Sequence, residues 1–288
     1  MIAKSFPKIS ALFELTKPGI TRMVLVTTAA GFYLAGGGAV LLLLHTLIGT
    51  AMAASGTNAL NQWVERDADA LMRRTAQRPL PAGRLSSLEA LVFASLISLV
   101  GLAYLSVFVN LPTTLVVAIT LTSYVFVYTP LKRKTWLSTL IGAVPGALPI
   151  VAGWTAAGRP ITAVAVVLFG IMFLWQMPHF FALAWIYRED YGRAGFQMLT
   201  VVDRSGARAA RQGALFAAAL LPISLLPTLL GLTGAVYLVG ATALGLMFLS
   251  LAGVMHIRGP SERLAARLFT GSIIYLPVLL VLMVVDKI

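Results

Sequence analysis

The chain has 288 residues, of which 59% are hydrophobic and 11% charged, against about 25% charged in an ordinary soluble domain. That balance excludes a water-soluble globular protein, and the lack of cysteine excludes disulfides, thiolate metal sites and thiol nucleophiles. The net charge of +12 does not call for nucleic acid, because in a chain this apolar Lys and Arg collect in cytoplasmic loops.

Apolar runs of roughly 20 residues, enough to cross a ~30 Å hydrocarbon core as helices, recur from end to end. The ~10-residue alternating strands of a membrane barrel do not occur. Backbone groups in lipid must pair within their own segment, so the expected fold is all-α: one polytopic membrane domain over residues 1–288, a bundle of nine transmembrane helices. In chain order the spans are expected at 20–38, 41–61, 88–108, 112–129, 137–156, 162–186, 213–231, 235–255 and 267–285. Before the first of them stand Lys4, Lys8, Glu14, Lys17 and Pro18 without an apolar core, so no cleavable signal peptide is expected there.

Nine spans put the two ends on opposite sides. With the N-terminus inside, twenty of the 22 basic residues fall on the inner face, Lys4, Lys8, Lys17 and Arg22 among them. Only Arg159 and Lys287 fall outside. The cation bias sets the orientation: N-terminus and long loops cytoplasmic, C-terminus outside. The outer loops are tiny and the inner loops after spans 2 and 6 are long, and long loops in compact folds tend to carry function. Trp63-Val-Glu-Arg66-Asp67 is repeated loosely as Trp185-Ile-Tyr-Arg188-Glu189, each after an even-numbered span. This suggests two four-helix repeats closed by a ninth helix.

The loop after span 2 holds the densest chemistry. Asn61, Glu65 and Asp69 are spaced four apart, one oxygen-bearing stripe if the helix continues past the membrane. Mg²⁺ takes hard oxygen ligands, often one or two carboxylates plus substrate phosphates, so the stripe suits a Mg²⁺–diphosphate site. An ordinary polar helix end, with Arg66 pairing the acids, fits the spacing equally well. Asp67 points elsewhere on a regular helix. Arg73, Arg74, Arg78 and Arg84 follow, able to grip phosphate bidentately or to anchor on anionic lipid. Pro79, Pro81 and Gly83 make this stretch a shaped turn. Lys132, Arg133 and Lys134, after span 4, are either phosphate contacts or a topology signal.

At the end of span 6 the chain reads Trp175-Gln-Met-Pro178-His179-Phe-Phe. Pro178 is expected to kink the helix. His179 then sits about 12 Å above the loop, eight residues at ~1.5 Å each. An ionisable group at that depth is a functional candidate: a metal ligand, an acid or base, or a partner for a carbonyl freed by Pro178. Glu189 and Asp190 either complete a second cation site facing the first or pair with Arg188 and Arg193. Trp63, Trp175, Phe180, Phe181, Trp185 and Tyr187 suit a flat or isoprenoid ligand, and equally an interfacial aromatic belt. His45 and His256 are expected to be structural.

These residues resemble the UbiA-type intramembrane prenyltransferase superfamily. The likeness covers nearly the whole chain. It rests on the Asn61–Asp69 motif, the Glu65–Arg84 run, YTPLKRK at Tyr128–Lys134, GAVPGALPIVAGW at Gly142–Trp154, and Trp175–Val202. The last is the most specific: His179-Phe180 and Tyr187-Arg-Glu-Asp-Tyr191 stand where quinone-pathway relatives carry a second aspartate-rich motif. Glu65 departs from the usual Asp, and Asp67 could compensate. Within the superfamily the likeness is to the branch that acts on heme. It implies transfer of a farnesyl group from farnesyl diphosphate to a vinyl group of heme B, with water added, giving heme O for terminal oxidases. It further implies Mg²⁺ on Asn61, Glu65 and Asp69, with a second ion on Glu189 and Asp190. Arg73, Arg74, Arg78, Lys132 and Arg133 would bind the diphosphate, and His179, Tyr187, Arg188 and Arg193 the heme, with His179 and Arg188 also near the reaction. A bacterial inner membrane and a heme A synthase or oxidase assembly factor as partner follow from the same likeness. The competing expectations are another aromatic acceptor, a secondary transporter and a structural assembly factor.

Overall fold

The computed structural model describes residues 5–288, with side chains from residue 8 onward, so Lys4 of the inner set lies outside the described residues. Helix takes up most of that length. In order it comprises α1 (Ser5–Leu15), α2 (Pro18–Leu34), α3 (Val40–Leu71), α4 (Ser87–Phe108) and α5 (Leu111–Thr122). A π-helical turn over Ser123–Tyr128 leads into the short α6 (Thr129–Leu131). Then come α7 (Ser138–Ala156), α8 (Ala163–Ile186), α9 (Arg188–Arg193), α10 (Leu199–Val202), α11 (Ala207–Leu229), α12 (Ala235–Arg258) and α13 (Glu262–Val285).

Eight described segments are long and apolar enough to cross a membrane, counting Leu111–Leu131 as one. The ninth expected span is α2, whose 17 residues reach about 25 Å at ~1.5 Å each. It stops at Leu34 rather than at 38. Gly36 turns to a φ of +85°, where glycine carries no steric cost, and Gly36 and Gly37 donate back to Tyr33 and Phe32 carbonyls. The opposite error occurs at three inner ends. α3 runs on to Leu71, ten residues past the expected 61, and α11 and α13 begin six and five residues early. Helix continues past the apolar runs at these points because its backbone hydrogen bonds do not depend on apolar side chains. α8 runs through Pro178 as one helix.

The spans pack in chain order, α2–α3–α4–α5–α7–α8–α11–α12–α13, and α13 returns to α2. Two further pairs, α2–α7 and α8–α13, cross the ring. The α2–α7 contact is backbone on backbone. A Cβ on Gly153 would lie 1.9 Å from Thr28 O, and one on Gly31 2.0 Å from Ile150 O. Small residues at such crossings let helices approach where lipid offers no hydrophobic drive. The repeat is visible at the inner ends of α3 and α8. Arg66 Nη1 donates to Trp63 O at 2.8 Å and its guanidinium stands 5.2 Å from the Trp63 ring. Arg188 does the same to Trp185, at 3.0 and 4.5 Å.

The outer face is closed by its two cations. Lys287 Nζ donates to Tyr33 O at 2.6 Å and Arg159 Nε to Ala35 O at 3.1 Å, both at the C-terminus of α2, where the helix dipole favours positive charge. Asp286 accepts from Tyr237 N at 2.7 Å and pins α13 to α12.

Candidate active site

The α3 stripe forms as the spacing predicts. Thr50, Ala53, Thr57, Asn61, Glu65 and Asp69 follow one face of a continuous helix. The last three are buried at the inner end of the bundle.

Each of those three oxygens meets a cation from a different segment. Lys17 Nζ donates to Asn61 Oδ1 at 2.8 Å. Lys132 Nζ stands 2.7 Å from Glu65 Oε1. Arg78 Nη1 stands 2.7 Å from Asp69 Oδ2, while Asp69 Oδ1 is buried with no partner among the described residues. Asn61 Nδ2 donates to Thr129 Oγ1 at 3.1 Å.

Local folding explains the convergence. Arg78 returns to α3 through the tight turn over 72–85, where Thr75 Oγ1 donates to Asp69 O and Arg84 N to Pro79 O. Lys132 is carried by α6, its ammonium 4.5 Å from the Tyr128 ring. Lys17 sits in a left-handed conformation, φ 48°, that a residue with a Cβ adopts only when its surroundings hold it. The holders are Asn58 and Gln62 of α3, which donate to Thr16 O and Leu15 O. The amphipathic α1 lies across this inner end, tied by Lys8–Glu89 and Glu14–Arg84 ion pairs.

Burial, with Arg78 close by, pulls Lys17 down to about 7. Burial also opposes the charge on Lys132, but the Glu65 carboxylate outweighs it and holds this lysine well above its ordinary range.

A second knot adjoins the first. Asp190 accepts from the Arg73 and Arg74 backbone amides, each at 3.3 Å, and from Arg193. Arg74 stacks over Tyr187 at 4.8 Å. Glu189 and Arg133 are exposed. Arg188 turns to Trp185 and lies 3.7 Å from Glu262. His179 stands apart at the α8–α13 contact. Its Nδ1 meets Ser272 Oγ at 2.7 Å, and its ring lies between Trp175 and Phe269, 5.1 and 4.8 Å away.

The structure thus unites Asn61, Glu65, Asp69, Arg78 and Lys132, sets Asp190, Arg193 and Tyr187 beside them through the 73–74 turn, and places His179 elsewhere. Sequence reasoning missed Lys17, Asn58, Gln62 and Tyr128. The one available signal was a lone Lys before Pro18, which reads as a charge on a basic N-terminal segment.

Among the described residues no three acidic or histidine side chains converge. The donor set is two carboxylates and an amide oxygen, with one buried oxygen left over. That is short of a full cage and suits a hard cation that completes its shell on substrate phosphates. With Lys17 protonated, three cations against two carboxylates leave one positive charge.

Residues 24–274 match the UbiA prenyltransferase family. The chain is 48% identical to the protoheme IX farnesyltransferase of Solibacter usitatus, covering 95% of this chain and 97% of that one. It is 41% identical to the protoheme IX farnesyltransferase of Myxococcus xanthus, covering 99% and 98%. Among solved structures it superposes on a digeranylgeranylglyceryl phosphate synthase with a TM-score of 0.81 at 17% identity, over 97% of this chain and 98% of that one. A UbiA homolog from Archaeoglobus fulgidus bound to GPP and Mg²⁺ superposes with a TM-score of 0.67 at 16% identity, over 95% and 99%.

Proposed function

The chain belongs to the UbiA prenyltransferase family, and on that premise we propose that it transfers the farnesyl group of farnesyl diphosphate to a vinyl group of heme B, with addition of water, giving heme O and diphosphate. Relatives of this identity and coverage carry the farnesyltransferase name, which favours this reaction over another aromatic acceptor, transport or a purely structural role. The observation that carries the site assignment is the pairing of all three stripe residues with separate cations.

In this reading Asn61, Glu65 and Asp69 would hold a Mg²⁺ ion that arrives with the diphosphate. When bound, the ion neutralises charge developing on the leaving group. Lys17 turns from the Asn61 amide oxygen, and Arg78 and Lys132 from the Asp69 and Glu65 carboxylates, to the phosphate oxygens as substrate enters. They favour the step in which the C1–oxygen bond breaks and its electron pair leaves with diphosphate, because pre-positioned charge costs no reorganisation in a site shielded from water. Arg73, Arg74 and Arg133 lie at the mouth and steer the anion inward. The terminal vinyl carbon of heme forms the new bond to C1. The positive charge passes to the adjacent carbon, where the porphyrin stabilises it, water adds there and a proton is released. His179, with Nδ1 committed to Ser272, presents Nε2 to the porphyrin, and Tyr187, Arg188 and Arg193 receive its edge and carboxylates. We assign Asp190 to the 73–74 turn rather than to a second ion, and Glu189 to solvent.

The same reading treats residues 1–288 as one integral membrane domain in a bacterial inner membrane, with the working face cytoplasmic and the C-terminus outside. Its apolar product passes to a heme A synthase or an oxidase assembly factor. The direct test incubates purified protein in lipid with heme B, farnesyl diphosphate and Mg²⁺, then separates and weighs the extracted heme. A heme heavier by one farnesyl group plus water, absent without Mg²⁺, is expected. Unchanged heme from folded protein would overturn the assignment.

A further inference from the structure

The α8–α13 contact holds an imidazole that the diphosphate site does not use. His179 lies between the Trp175 and Phe269 rings, 5.1 and 4.8 Å away at interplanar angles of 28° and 30°. The Phe180 ring stands edge-on to it at 5.3 Å. Ser272 of α13 ties this group together. Its carbonyl accepts from Trp175 Nε1 at 2.9 Å, and its hydroxyl meets His179 Nδ1 at 2.7 Å. Ser272 itself is buried.

The hydroxyl has a single proton, and its place is fixed. Ser272 Oγ stands 2.5 Å from Phe269 O, at the short end of the O–H···O range of about 2.5–3.0 Å. Two bare oxygens would repel at that separation, so the proton lies on the line to the carbonyl. Toward His179 the hydroxyl has only lone pairs to offer. Nδ1 therefore carries a proton, and the neutral ring keeps its lone pair on Nε2. Among the described residues nothing hydrogen-bonds to Nε2, and that atom is not sealed inside the protein.

The surroundings decide what this lone pair can take. The ring and hydrogen-bond neighbours of His179 are Trp175, Phe180, Phe269 and Ser272, none of them charged. A proton gained at Nε2 would leave an imidazolium without a counter-charge among apolar rings, which is costly. A bond to a metal adds no proton, and a histidine whose other nitrogen donates to an oxygen is in the state that metal ligation requires. The same helix pair also carries a group for an anionic edge. Arg188, nine residues or ~14 Å down α8, lies 3.7 Å from Glu262 of α13.

We propose that Ser272 is a positioning residue for the acceptor: by accepting from Nδ1 it holds His179 in the tautomer, and at the ring angle, that ligates the iron of a porphyrin through Nε2. The proposal rests on the heme reading above and deepens it, naming how the iron is gripped and what keeps the grip in register.

The test compares two porphyrins that differ only in the metal. Heme B and iron-free protoporphyrin IX are titrated separately into purified protein without any prenyl donor. Affinity is read from quenching of tryptophan fluorescence, and ligation from the heme absorption spectrum. Wild type should bind heme B more tightly than protoporphyrin IX and show a histidine-ligated spectrum. Ser272→Ala keeps the backbone carbonyl that Trp175 uses and removes only the acceptor. It should weaken heme B about tenfold to a hundredfold, the scale of losing the partner of a metal-ligating histidine, and leave protoporphyrin IX unchanged. In a His179→Ala background the same substitution should alter neither. Equal loss for both porphyrins, no loss for either, or a loss that persists without His179 would overturn the role of Ser272. Wild type that binds both porphyrins equally would overturn iron ligation and leave the reaction assignment standing, whereas wild type that binds neither would sink both. Should the alanine variant not fold, Ser272→Cys, close in size and a weaker acceptor, is read in the same way.

Discussion

Lys17 Nζ and Asn61 Oδ1 meet at 2.8 Å across 44 positions of sequence, joining the segment before the first span to the catalytic stripe of the second. The contact makes a residue outside every recognisable motif part of the site. Lys17→Met is expected to weaken farnesyl diphosphate binding and slow transfer. Charge-assisted hydrogen bonds are worth about 1.5–3 kcal/mol, so kcat/KM should fall roughly tenfold to a hundredfold. Steady-state kinetics with saturating heme would read it, and an unchanged kcat/KM would remove Lys17 from the site.

Asp69→Asn keeps the shape of the side chain and removes the charge opposite Arg78. Turnover should drop by more than about a hundredfold, the scale of losing an electrostatic group in a preorganised site. The Mg²⁺ concentration needed for half-maximal rate should rise. Retained activity with an unshifted Mg²⁺ requirement would show that the metal lies elsewhere.

Asp190→Asn tests a positioning role. Asp190 grips the Arg73 and Arg74 amides just before the turn that returns Arg78 to Asp69. The variant should lose about tenfold in kcat/KM, as expected when one charged hydrogen-bond partner is weakened. Its Mg²⁺ requirement should stay as in wild type, and trypsin should cut more readily at Arg73 and Arg74. A raised Mg²⁺ requirement would instead make Asp190 a ligand.

Gly153→Ala should push α2 from α7, since the new Cβ would stand 1.9 Å from a Thr28 carbonyl. Overpacking of this kind costs about 1–3 kcal/mol, read as a fall of several degrees in the melting temperature in detergent. Gly19→Ala, with nothing within 4 Å of its Cβ, is the control and should melt as wild type does.

The spans were legible because each is a near-continuous apolar run, and their order around the ring follows from short outer loops. Their inner ends were not, since hydropathy marks where lipid stops and not where helix stops. The ten extra residues of α3 show the difference. The Asn61–Glu65–Asp69 stripe was readable from spacing alone, and so was the turn at Pro79 to Gly83. The burial of Lys17 was not. It depends on α1 folding across the inner face and on Asn58 and Gln62 catching the Leu15 and Thr16 carbonyls, contacts more than forty positions apart. For Asp190 the sequence leaves a cation site and pairing with Arg188 or Arg193 both open, because a carboxylate near arginines carries no label for its partner. Here the partners are largely backbone amides, which composition cannot show.

The π-helical turn at Ser123–Tyr128 acts as a phase correction. Thr120, Tyr124, Tyr128 and Lys132 are spaced four apart. In a regular helix each such step overshoots a full turn by about 40°, so by Lys132 the drift would exceed a right angle. The wider i→i+5 winding turns the chain back the other way. One helix can thereby show the same azimuth to the bundle interior at Thr120 and to the carboxylate of Glu65 at Lys132. Deleting a single residue from that turn would rewind it and swing the lysine toward lipid, taking it from Glu65 without changing its chemistry.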